Sequence, residues 1–107
     1  MPDAPEKPPY EVMLTSDDRR TVERLPRPSQ REEAIAWLEG HLQNTPRALV
    51  TGKVKRLKAA YSHLYQIDLG DWFRIIYRVE ESEKRVYIEY VGPHPDWRKS
   101  RGGRIRR

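Results

Sequence analysis

The sequence predicts an α+β fold: a small antiparallel-dominated sheet, in the order β-α-α-β-β-β, with two helices packed on one face. Three observations predict it. Residues 64–91 alternate apolar and polar side chains through three runs separated by turn signals. Residues 10–15 make a fourth run of the same period. Between them, residues 16–43 carry helix caps and apolar residues at helical spacing, cut in two by Pro26 and Pro28.

Each element has its own signal. In the first strand Tyr10, Val12 and Leu14 alternate with Glu11, Met13 and Thr15. Ser16 is a good N-cap, and Asp17 and Asp18 suit the positive end of a helix dipole. That helix runs to about Leu25, with Val22 and Leu25 on its apolar side, and the two prolines stop it. Ser29-Gln30-Arg31-Glu32 is a capping box and opens a second helix over about 30–43. Ala34, Ile35, Leu38 and Leu42 form its apolar stripe, bordered by Trp37. Asn44-Thr45-Pro46 closes it. Residues 47–60 fit either a short strand or an irregular loop.

The last three strands are read by alternation. Tyr65, Ile67 and Leu69 share a face against Leu64, Gln66 and Asp68. Gly70-Asp71 marks a turn. Phe73, Ile75, Tyr77 and Val79 then oppose Trp72, Arg74, Ile76 and Arg78. A charged hairpin loop, residues 81–84, leads to a strand in which Val86, Ile88 and Tyr90 oppose Tyr87, Glu89 and Val91. In each strand the first-named face meets the helices, and the opposite face is turned to water or a ligand.

Composition bounds the possibilities. The 107 residues make one small domain with a modest core. There is no cysteine, which removes disulfides and thiolate chemistry and suits a reducing cytosol. No apolar run approaches the roughly 20 residues of a membrane span. The first nine residues hold no apolar signal-peptide core, so a cytoplasmic protein with no membrane contact is expected. No Walker loop or metal-ligand spacing appears, and His41, His63 and His94 are scattered. No cofactor or metal is expected.

The net charge of +5 is unevenly placed. Of 21 basic and 16 acidic residues, residues 98–107 hold six basic and no acidic ones, and residues 1–9 hold one lysine and two acids. Residues 10–97 are left with 14 of each sign and are neutral. Three segments follow: a proline-rich disordered N-terminus (1–9), a folded domain (10–97) and a basic flexible tail (98–107). Such a tail either steers phosphate-bearing partners or solvates a terminus. Within the body, Lys53, Lys55 and Arg56 stand in a stretch without acids. They make either a solvated face or a phosphate-facing rim.

Two residues suggest chemistry. Arg74 sits inside a strand among Phe73, Ile75 and Ile76, where a charge needs water or an anionic partner. His94 follows the last strand in Gly92-Pro93-His94-Pro95 and titrates near neutrality. A strand-borne arginine and a strand-end histidine are a candidate site for a phosphodiester. The alternatives are a surface arginine paired with Asp68 or Glu89, and an ordinary loop histidine.

Over residues 10–97 the chain resembles the RelE/ParE superfamily of bacterial toxins. The resemblance rests on element order and three patterns: YEVMLTSDDRRTVERLP, LYQIDLGDWFRIIYRVE and VYIEYVGPHPDW. It implies the toxin of a type II toxin–antitoxin pair. RelE-like members are ribosome-dependent messenger RNA endonucleases that need no metal, whereas ParE-like members poison DNA gyrase with the same fold. The resemblance implies a cognate antitoxin as partner, messenger RNA on the ribosome with ribosomal RNA contacts, and DNA only indirectly through an antitoxin complex. An inert paralogue is a third possibility.

The resemblance also implies site roles. Arg74 falls where RelE-like nucleases keep an arginine beside the scissile phosphate, and His94 where they keep an arginine or histidine. Trp97 falls near a base-stacking aromatic. Gln66 and Asp68 stand where RelE has lysines, and the expected tyrosine near residues 98–100 is absent. Asp68 then becomes the candidate general base beside Arg74 and His94. Lys53, Lys55, Arg56, Trp97, Arg98, Lys99 and Arg101 are the candidate RNA-binding residues.

Overall fold

The computed structural model describes residues 8–70 and 72–93. Within them a five-stranded sheet forms, its strands lying side by side in the chain order first, fifth, fourth, third, second, with helices on one face. Strand β1 (Glu11–Met13) leads into helix α1 (Ser16–Glu23). Thr15, not Ser16, caps that helix: its hydroxyl accepts from the Asp18 N–H at 3.0 Å. Asp17 and Asp18 occupy the first turn, as a helix dipole favours.

Helix α2 (Pro28–Ala36) starts earlier than the capping box implied. Pro28 takes a first-turn position, where its missing N–H costs nothing, and Arg27 precedes it without a side-chain cap. The helix continues through a π-helical stretch, Trp37–His41, and a last α-turn, Leu42–Asn44. Ala34, Leu38 and Leu42 are buried against the sheet, with Trp37 packed at the edge of the core. Ile35, expected in the same stripe, is 39% exposed. It follows Ala34 by about 100° around the helix, enough to turn it off the sheet.

Residues 47–60 resolve into structure. A tight turn through Gly52, at φ +80°, bridges Val50 to Val54 and starts β2 (Val54–Arg56). A 3-10 turn (Ala59–Tyr61) then leads to β3 (Tyr65–Leu69), β4 (Phe73–Glu80) and β5 (Arg85–Gly92). Neighbouring strands are antiparallel except β1 and β5, which pair in parallel through Glu11↔Arg85 to Met13↔Tyr87. A parallel pair needs a crossover, and the two helices with β2 to β4 supply it.

The core joins Val22, Leu38 and Leu42 to Ile67, Phe73, Ile75, Tyr77, Val86 and Ile88. Val91 belongs to it as well, although alternation alone places it on the opposite face. The cause is a register shift between β4 and β5 at Ile76/Tyr77: Tyr77 pairs with Ile88, while Ile76 pairs with Tyr90. Glu89 is the extra residue of this β-bulge. Beyond it the faces of β5 exchange, so Val91 turns inward and Tyr90 outward. The outer face is less open than the sequence suggested, because Gln66, Ile76 and Glu89 on it are buried.

Among the described residues no helix is long and apolar enough to cross a membrane. Tyr77 ties the sheet to the loop after α2: its hydroxyl donates to the buried Pro46 carbonyl at 2.6 Å, and burial raises its phenol's pKa. Tyr77→Phe leaves that carbonyl unpaired. A loss of about 1–2 kcal/mol in urea-unfolding stability is expected, with little change in the far-UV spectrum.

Candidate functional site

The outer face of the sheet holds the sequence-predicted Arg74 and Asp68 as direct cross-strand neighbours. The Arg74 Nε lies 2.9 Å from Asp68 Oδ1. Its N–H is not aimed at that oxygen, so the contact is an ion pair rather than a hydrogen bond. Nη1 donates to the carbonyls of Gly70 at 2.9 Å and Phe73 at 3.1 Å. Asp68 Oδ1 also accepts from Gln66 Nε2 at 2.7 Å. Gln66 thus orients the carboxylate that holds the arginine. The side chains of Arg74 and Asp68 are 12% and 26% exposed, so solvent screens the pair only in part.

Strand β2 brings cations to one end of this face. The Lys53 carbonyl accepts the Asp68 N–H at 2.8 Å, and Lys55 pairs in register with Gln66. Val54 between them is in the core, so alternation turns both lysines to the outer face. Arg56 points the other way. Its guanidinium lies 5.4 Å from the centre of the Tyr65 ring, and its Nε donates to the Ser62 carbonyl at 2.7 Å. Lys53 and Lys55 therefore share a face with the Arg74–Asp68 pair, and Arg56 does not.

At the other end the bulge sets the geometry. Gly92 stands opposite Arg74. Its φ of +151° suits only glycine, and a Cβ there would come within 2.9 Å of the Tyr90 hydroxyl. Tyr90 leans over Gly92 and donates to the Pro93 carbonyl. Burial raises the Tyr90 phenol's pKa. Tyr90 and Gln66 are site residues that sequence reasoning missed. Strict alternation assigns Tyr90 to the helix face. Gln66 reads from the sequence only as a missing lysine. For Tyr90 the sequence carries no signal, because the bulge decides its face, whereas alternation already sets Gln66 beside Asp68.

Of the remaining candidates, His94, Trp97, Arg98, Lys99 and Arg101 lie outside the described residues, as does Asp71. The cluster that is described sets Arg74 beside a carboxylate held by an amide, with Tyr90 leaning over the glycine opposite. Two lysines stand a strand away.

No protein-family model and no curated protein matches the chain. Solved structures do. A chain of the toxin–antitoxin complex RelBE2 from Mycobacterium tuberculosis is 24% identical, with a TM-score of 0.61, over 80% of this chain and 99% of its own. The isolated RelE toxin of E. coli is 20% identical, with a TM-score of 0.61, over 81% and 86%. A YoeB/ParE toxin from Agrobacterium tumefaciens is 25% identical, with a TM-score of 0.61, over 79% and 99%. At such identities the likeness is one of fold, and it spans nearly the whole of each neighbour.

Asp68 neutralises Arg74, so its removal should release the guanidinium. In Asp68→Asn, binding of a short single-stranded RNA should tighten. The slope of log affinity against log salt should steepen by about 0.7, the share of one phosphate contact. Fluorescence anisotropy across a salt series measures both.

Proposed function

We propose, from the premise that this chain has the fold of the RelE/ParE toxin superfamily, that it is the toxin of a type II toxin–antitoxin pair. We further propose that it cleaves messenger RNA at the ribosome without a metal. Its partner is a cognate antitoxin that covers the outer face of the sheet, and its place is the cytoplasm.

The observation that carries this reading is the row Asp68–Arg74–Gly92 across β3, β4 and β5. Cleavage by the neighbouring 2′-hydroxyl needs a base, a fixed cation at the phosphorane and an acid for the 5′-oxygen. Arg74 is fixed by two backbone carbonyls and by Asp68, and a guanidinium matches phosphate oxygens. His94 follows Gly92 by two residues, within about 7 Å of extended chain. It is the titrating group that takes or returns the proton, with Asp68 as its complement. Lys53 and Lys55 hold the RNA backbone beside this row. Trp97 and the basic residues Arg98, Lys99 and Arg101 extend that grip toward messenger and ribosomal RNA.

One observation favours a non-catalytic alternative, a DNA gyrase inhibitor of the ParE kind. Asp68 already occupies Arg74, which leaves the row without net charge.

Inducible expression followed by transcript-end mapping separates the two. The nuclease gives new 5′-ends within translated messages. His94→Ala and Arg74→Ala should each lower cleavage at least about tenfold, the size of a general acid–base or phosphate contact. Growth arrest with double-strand DNA breaks, unchanged in both variants and without transcript cleavage, would sink the nuclease in favour of the gyrase inhibitor.

A further inference from the structure

The β4–β5 bulge also leaves a buried charge incompletely paired. The Glu89 side chain is 3% exposed. Its Oε2 accepts from Arg78 Nε at 2.9 Å, while Oε1 is buried with no hydrogen-bond partner. A buried carboxylate oxygen without a donor is costly and calls for a water, an ion or a ligand group to satisfy it. Arg78 reaches only the other oxygen of that carboxylate, through Nε. That guanidinium also binds Glu80 through Nη1 and lies over the Tyr87 ring, 4.2 Å from its centre.

Glu89 lines a groove of about 480 Å³ that opens where β1 leaves β5. Met13, Leu14 and Ile88 make its walls apolar, and Thr15, Arg78, Tyr87 and Glu89 line the remainder. Pairing with β1 stops at Met13↔Tyr87, yet β5 continues to Gly92. No strand among the described residues pairs with that continuing edge.

We propose that this groove receives an arginine or lysine side chain presented by an extended segment of a partner polypeptide, with the cationic head pairing with the Glu89 carboxylate as Oε1 turns out to meet it. Charge chooses the occupant. The charged groups around the groove are Arg78 and Arg85 against Glu11, Glu80, Glu83 and Glu89, so the cluster carries a net negative charge that repels phosphates and attracts a cation. The apolar walls suit the methylene stem of such a side chain. The open edge of β5 suits the extended backbone that would carry it. The inference rests on the toxin–antitoxin reading only for the source of the partner, because the groove chemistry stands without any toxic activity.

The test is a titration of the full nitrogen-15-labelled chain with the capped tripeptide Val-Arg-Val. Val-Glu-Val and guanosine monophosphate serve as comparison probes. The arginine peptide should shift the amides of Leu14, Arg78 and Glu89 saturably, and the other two probes should not. Glu89→Gln should weaken the arginine peptide by about tenfold or more, the loss of one charge-assisted hydrogen bond. Met13→Lys leaves the Arg78–Glu89 pair intact but places a cation in the groove wall, and should compete the peptide away. Equal binding of the two peptides, unchanged affinity in both variants, or saturable binding of guanosine monophosphate at these amides would overturn the proposal. The titration reads no toxin activity, so its failure and that of the nuclease reading are distinguishable.

Discussion

One extra residue in β5 governs the arrangement of the whole outer face. Without the bulge at Glu89, strict alternation would bring Tyr90 to the core, set Val91 opposite Arg74 and pair Ile76 with Glu89. With it, Val91 fills the core beside Ile75, Tyr90 turns outward and a glycine faces the arginine. Bulges bend a strand and re-aim its side chains at the cost of a locally broken ladder. Here that disruption sets a glycine, overlain by Tyr90, opposite Arg74 and leaves Glu89 on a buried perch.

The consequence is an electrostatic gradient across a single sheet face. Lys53 and Lys55 make the β2 edge positive. The central Asp68–Arg74 pair is neutral. Arg78 and Arg85 against Glu11, Glu80, Glu83 and Glu89 make the β5 side negative. The formal neutrality of residues 10–97 conceals this order. A polyanion would track along β2 and β3, whereas a cationic side chain would be drawn to the far side. The two proposed partners, RNA and a polypeptide, are thereby given separate parts of one surface. They need not compete for the same contacts, although a partner that spans the face would cover both.

The central pair carries a tension that its position does not remove. Arg74 and Asp68 are partly buried, and taking either away leaves the other charge with less compensation. A phosphate approaching Arg74 must therefore share the guanidinium with Asp68 or displace it. Under the nuclease proposal, sharing would keep Asp68 near the reacting oxygens, where that proposal needs a base. Displacement would expose a carboxylate to a polyanion, which is unfavourable. Gln66, by holding Asp68 Oδ1, biases the site toward sharing.

The sequence by itself determined the elements and the core of the sheet, because alternation and helical spacing are local properties of the chain. The strands of residues 64–80, the two-helix segment and the stripe of Ala34, Leu38 and Leu42 were legible for that reason, and so was the proximity of Arg74 to Asp68. Local signals also misled where two options competed over one turn: Thr15 against Ser16 as cap, and Pro28 against the capping box as the start of α2. Strand β2 was not legible, since three residues are too few to show a period. Its pairing with β3 is what makes Val54–Arg56 a strand. Only the tertiary structure decided the bulge, the parallel docking of β1 on β5, the separation of Arg56 from Lys53 and Lys55, and the orphaned oxygen of Glu89. Each of these depends on register between strands distant in sequence. Register is fixed by the packing of the whole sheet against its helices, not by any residue's own preference.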